Sequence, residues 1–338
     1  MDVDPDHREP SNGPKPHDFL WFPDGNVVLS TDTFLFKVHK SLLAVHSSVF
    51  RDMFELPNVG HGSSNPEGSG GSDFGSASEL YEGVPMVTLA GDKGEDVVHL
   101  LRAVFERDYY HRDDDNTSLE VIVALVVLST KYDFNAVRKD VILHISRQYP
   151  MCLHEYEALD DDEAPLFGKT RANCHFPLLV AAVTADADVL LPCLFFACSD
   201  YAIDYTFHKA QSLPRKALQT LIQGRDSWNL EVNIYVCSIP ERLQQLSVEG
   251  GCQLVRSCLE DARFLDLHGH IQPNFRDFTG KNITKSCLRF DMVCSTCHSF
   301  AERKINEERR RIWDALPSYF KFPEWSVLRA QLRAIVES

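Results

Sequence analysis

The chain has no long apolar run, no phosphate-binding glycine loop and no hydrolase or zinc-protease signature, and each absence removes a class of function. Its longest uninterrupted apolar stretch is VIVALVVL, Val121–Leu128, well short of the roughly 20 residues that cross a bilayer. That run predicts a core helix and no membrane span. A nucleotide enzyme needs glycines that bring backbone amides onto phosphate between a strand and a helix. GSGGS, Gly68–Ser72, has the glycines but lies in a Ser-rich spacer with no following Lys, so it reads as linker. The patterns G-x-S-x-G and H-E-x-x-H do not occur. DDDNTSLE, from Asp113, matches a calcium loop in acid count only, since the mid-loop Gly and the spaced Glu are missing. Positive charge is also scarce: Asp and Glu outnumber Lys and Arg 49 to 34, for a formal charge of −15. A nucleic-acid partner is therefore not expected without a locally basic patch.

The opening MDVDPDHREPSNGPKPH is acidic and Pro-rich, with neither the basic nor the apolar region of a secretory leader. A cytoplasmic and/or nuclear protein is expected. Its ten cysteines are then expected to be reduced thiols or metal ligands, and the sequons at Asn116 and Asn282 carry no glycan.

With 338 residues, about two domains are expected. Residues 1–17 read as a disordered tail. FLWFPDGNVVLS has the punctuation of two short strands paired around a turn. From His39 the spacing turns helical: Leu42, Val45, Val49 and Met53 recur three or four apart, and Leu43, Phe50 and Phe54 widen the stripe. Ser47 or Ser48 is placed to cap a second short helix. Residues 58–83 are dense in Gly, Ser and Pro, which predicts a flexible insertion that cannot offset its own ordering entropy. VPMVTL predicts a strand, and helices are predicted at about 94–110, 118–132 and 135–148, the last stopping before Pro150. Residues 151–174 read as an acidic linker. Beyond them, helices are predicted at about 175–184, 188–199, 214–224 and 253–264, with a charged helix near the end. No repeat of 20 to 50 residues is visible, which excludes solenoid and propeller expectations.

FKVHKSLLAVHSSVFRDMF carries His39 and His46, without a nearby acid in triad order or a third metal ligand. Both read as structural histidines, and no catalytic residue is expected. CSTCH, Cys294–His298, supplies half of a tetrahedral zinc site. Cys252 and Cys258 are the available second half, with Cys287 and His298 as substitutes, so Cys252, Cys258, Cys294 and Cys297 form a candidate structural-zinc set. Unliganded thiols, with no cofactor, are the alternative.

The segment Asn26–Phe54 resembles the first half of a BTB/POZ domain, whose members read F-x-x-H-K-x-x-L-A-x-x-S-x-x-F-x-x-M-F after a short hairpin. Phe36, His39, Lys40, Leu43, Ala44, Ser47, Phe50, Met53 and Phe54 fill that pattern. VPMVTLAGDKGEDVVHLLRAVFERDYY and SLEVIVALVVLSTKYDFNAVRKDVILHI follow in the family's order. LWFPDGNVVL, the Gly/Ser insertion and the ending are similar to BTB/POZ proteins of mushroom-forming fungi. The resemblance implies an α+β fold, a short sheet with helical hairpins over residues 18–150, followed by a mostly α-helical domain of unknown role over 175–338. It implies a non-catalytic interaction module that homodimerises or serves as an adaptor or scaffold, with protein as its partner. A substrate adaptor of a cullin-type ubiquitin ligase is a second expectation, and a zinc-stabilised transcriptional or chromatin-linked regulator a third. The interaction residues expected are Leu42, Val45, Val49, Phe50, Met53 and Phe54, with Leu80 and Glu82 resembling the hydrophobic-x-Glu element of cullin-binding members.

Overall fold

A computed structural model describes residues 13–55, 80–114, 116–245 and 294–337. The protein has a mixed α and β architecture, mostly helical with a small mixed sheet. Two compact units divide it, residues 1–141 and 142–338.

The first unit contains a five-stranded sheet in the order β1-β3-β2-β5-β4. Its strands are β1 (Lys15–Trp21), β2 (Val27–Ser30), β3 (Phe34–Val38), β4 (Leu80–Tyr81) and β5 (Val84–Thr88). All four residues of β2, the central strand, are buried. The β1–β3 and β2–β5 pairs are parallel, whereas β2–β3 and β4–β5 are antiparallel. The expected hairpin between the two runs of FLWFPDGNVVLS is thus corrected. Both runs are strands, but β3 lies between them, and the real hairpin joins β2 to β3, where Thr31 N–H donates to Phe34 O at 2.9 Å. An apolar run specifies a strand but not its neighbour.

Helices α1 (Lys40–His46) and α2 (Ser48–Glu55) follow. Extended backbone at Ser47 separates them (φ −139°). Ser47 N–H donates to Leu43 O at 2.9 Å, and its hydroxyl accepts from Phe50 N–H at 3.0 Å. One serine thereby closes α1 and caps α2. Helix α3 (Gly94–Phe105) starts hard against the β2–β3 turn. A Cβ at Gly94 would stand 2.8 Å from Thr31 Oγ1, and Asp32 Oδ1 accepts from Gly94 N–H at 2.8 Å. Helix α4 (Leu119–Lys131) buries residues around most of its circumference, as the VIVALVVL run predicts, and α5 (Asn135–Gln148) runs across the division between the units.

Two boundary expectations change in this unit. Lys15, Pro16 and His17 belong to β1, so the tail ends earlier than residue 17. At the end of the Gly/Ser segment, residues 80–83 form a hairpin: Leu80 and Tyr81 pair with Pro85 and Val84 around Glu82 (φ 50°) and Gly83 (φ 82°). Two positive φ values at the central residues of a two-residue loop match the twist of the flanking strands. The rest of that segment, 58–79, lies outside the described residues.

In the second unit the expected acidic linker, 151–174, is folded. It holds α6 (Leu153–Leu159), the hairpin β6 (Pro165–Leu166) and β7 (Lys169–Thr170), and the start of α7 (Arg171–Thr184). Tyr156, Leu166, Phe167 and Arg171 are buried there. The exposed Asp and Glu side chains set the composition, while a few inward residues set the structure. Helices α8 (Leu191–Ser199), α9 (Ile203–Lys209), α10 (Arg215–Gln245), α11 (Ser295–Asp314), α12 (Leu316–Tyr319) and α13 (Trp325–Glu337) complete the described chain. Tyr156, Phe196, Trp228, Trp313 and Trp325 share one aromatic core, with Trp313 and Trp325 stacked at 5.7 Å. Both indole N–H groups are satisfied: Trp313 donates to Met151 O at 3.1 Å and Trp325 to Trp313 O at 2.9 Å.

Candidate interaction surface

The apolar stripe of α1–α2 divides by depth. Phe50 is 1% exposed; its ring stacks on Tyr132 at 4.9 Å and tilts against Phe134 and Phe54. The expectation that Phe50 is an interaction residue is corrected, because its surface is spent on the core. Leu43 is also fully buried. Leu42, Val49, Met53 and Phe54 are half-buried, and Val45 is 76% exposed. Lys40 Nζ stands 5.5 Å from the centre of the Phe54 ring, a cation–π contact at the margin of the stripe. These residues form an apolar strip with a buried root and an exposed crest.

Leu80 is 64% exposed on β4, and Glu82 occupies the exposed turn that follows. They lie on a different element from the helical stripe.

The supports beneath α1 are polar. Asn26 Oδ1 accepts from Lys40 N–H at 2.8 Å, so the start of α1 is capped by a residue fourteen positions upstream. His39, at the N-cap position, gives no side-chain cap. Instead its Nε2 lies 3.2 Å from Asp24 Oδ2 and its ring packs on Phe22. That hydrogen bond holds the Asp24 carboxyl below the usual carboxylate range. Ser48 Oγ donates to Asp133, in the α4–α5 turn, and Asp92 receives Lys131 Nζ at 2.6 Å together with the Tyr132 hydroxyl. Burial, with Asp92 adding to it, pushes the Tyr132 phenol far above its ordinary value. His46, exposed, lines an open hollow with Ala103, Val104, Phe134, Ala136 and Val137. These contacts fix the helix pair.

Sequence reasoning missed Phe19, 78% exposed on β1. The residue lies within KPHDFLW, where alternation alone assigns it no face.

The second unit holds one arrangement that looks chemical. Tyr149 OH lies 2.8 Å from His175 Nδ1, and His175 Nε2 lies 3.5 Å from Asp162 Oδ1. With the proton on Nε2 facing the carboxylate, the phenol donates to Nδ1. The Arg171 guanidinium covers the Tyr149 ring at 4.6 Å and donates to Gln148 O at 2.6 Å. Burial lowers the His175 pKa, against the pull of Asp162. Tyr149, His175 and Arg171 are sealed from solvent while Asp162 is part-exposed, and together they form a polar network that ties α7 to the preceding loop.

Of the four zinc candidates, Cys252 and Cys258 lie outside the described residues. Cys294 is the N-cap residue of α11 and Cys297 is buried in its first turn. Among the described residues, no group of three or more His, Cys, Asp or Glu is placed to hold a metal ion. The charge run on α11 meets acids within the unit: Lys304 pairs with Glu307 at 3.0 Å, Arg309 with Glu157, and Arg311 with Glu231 and Glu308 at 2.6 Å each. No described helix is long and apolar enough to cross a membrane. No protein-family model matches the chain, and neither a curated protein nor a solved structure matches it.

Proposed function

We propose that this chain is a non-catalytic protein-interaction protein, with a BTB/POZ domain over residues 18–150 that pairs with a second copy of itself through the α1–α2 face and acts as a dimeric scaffold or adaptor. The observation that carries this reading is the exposure of Val45 at 76% on a helix pair where Leu43 and Phe50 are buried but Leu42, Val49, Met53 and Phe54 are only half covered. An exposed apolar residue flanked by half-buried ones offers apolar surface that a partner would cover. The order of elements supports the family reading: hairpin β2–β3, helix pair α1–α2, strand β5, helix α3, helix pair α4–α5. Light scattering on the purified chain at micromolar concentration tests it. The expected mass is that of two chains, reduced to one by Val45→Glu. A native chain that runs at the mass of one copy overturns the homodimer.

A second reading, an adaptor for a cullin-type ubiquitin ligase, is favoured by the β4–β5 hairpin, which holds Leu80 outward beside an exposed Glu82. Its test is capture of purified fungal cullin by the native chain, with loss expected in Phe54→Ala and Glu82→Ala. Binding unaffected by both removes that face.

A further inference from the structure

Strand β1 follows β3 in register at Lys15↔Phe34 and Pro16↔Leu35, then loses step, so that Trp21 stands opposite Lys37. Five residues of β1 are passed against two of β3, and the surplus is taken up in a bulge over His17–Leu20. The bulge turns Leu20 into the core, 1% exposed, and Phe19 out to solvent. Amides in a bulge lose their ladder partners. Here two of them find one local acceptor: Phe19 N–H and Leu20 N–H both point at His17 Nδ1, at 3.3 and 3.2 Å. The imidazole is held in place by Phe34, edge-on at 5.1 Å, and by Phe36 at 5.6 Å.

An imidazole nitrogen accepts only while it carries no proton. We propose that His17 is a proton-operated clasp on edge strand β1: neutral, it holds the bulge that buries Leu20 and displays Phe19, and protonated it lets the bulge go. Protonated, Nδ1 becomes a donor facing two donors, and both amides lose their acceptor at once. The charged groups facing the ring are Asp18 on its own strand, Glu95 and Arg102 on α3, and Glu106 just past it. The three carboxylates favour the imidazolium. Burial of the ring outweighs them, with Arg102 acting in the same sense, and holds the pKa below the ordinary 6.5. The folded state therefore prefers neutral His17. Its contribution is complete above 6.5 and is lost as the pH falls through the folded value. The clasp is independent of what meets the α1–α2 face.

The test is nitrogen-15 NMR on the full chain labelled at Phe, Leu and His, titrated from pH 8 to pH 5. The His17 ring is expected to titrate below 6.5. The Phe19 and Leu20 amide shifts are expected to move with the same midpoint, and protection of both amides, corrected for intrinsic exchange, to fall at least tenfold. In His17→Gln the transition at these two amides is expected to vanish. Amides that stay still while the ring titrates, or that keep the same transition in His17→Gln, overturn the proposal. Should His17→Gln not fold, agreement or disagreement of ring and amide midpoints in the native chain decides alone.

Discussion

Helices α1 and α8 are both short and apolar, and they are treated in opposite ways. Every residue of α8, LPCLFFACS, is buried, whereas of KSLLAVH in α1 only Leu43 is. In α8 the apolar content is accounted for by packing: Phe195 stacks on Phe320 and Phe196 meets Tyr156, Trp228 and Trp313. In α1 it is not. Val45 gains nothing from the fold that a polar residue would not also gain, and at a solvated helix position a β-branched residue carries a small propensity cost. The difference separates apolar residues that hold the protein together from those that remain available to another chain.

The contrast is sharpened first by truncation. Phe196→Ala and Phe50→Ala each remove a buried ring and are expected to cost about 3–5 kcal/mol, measured as a fall in the denaturant midpoint of the corresponding unit. Gly224→Ala tests how tightly the second unit is packed. A Cβ there would fall 2.1 Å from Phe320 Cδ1, and overpacking of that kind costs about 1–3 kcal/mol. A smaller effect is expected from acid. His175 is held neutral by burial, so its contribution is present above its unfolded pKa of about 6.5 and is lost as the pH falls through the depressed folded value. Calorimetric melting of native and His175→Gln chains between pH 7.5 and pH 5 should show the steeper decline in the native chain. The smallest effect is reserved for Val45→Ala, expected to leave stability within about 0.5 kcal/mol. A loss there as large as that of Phe50→Ala would erase the distinction between the two helices.

Much of the helix pair was legible in the sequence. The i, i+3, i+4 spacing marked its apolar face, and Ser47 or Ser48 was marked as a cap, the role that Ser47 fills. Spacing could not separate Phe50 from Val45, because the two sit on adjoining parts of one broad stripe and it is Tyr132 and Phe134, far along the chain, that cover Phe50. Asn26 as the cap of α1 was invisible for the same reason, being a contact across fourteen residues. The helix predicted at 214–224 is longer than expected, and Gly224 lies inside α10, which runs on to Gln245. It is glycine because Phe320 occupies the space a side chain would need. The acidic segment after Met151 misled through composition, since Glu155, Asp161 and Glu163 face water while Tyr156, Leu166 and Phe167 pack inward.

The division between packed and presented apolar surface is tested most directly by sedimentation equilibrium on the native chain and Val45→Glu, with denaturation midpoints taken on the same samples. The account predicts equal midpoints at dilutions where both chains are single copies, since pairing itself stabilises the native state by mass action, and a self-association weakened at least tenfold by the glutamate. Self-association of equal strength in the two chains, at equal stability, would contradict it.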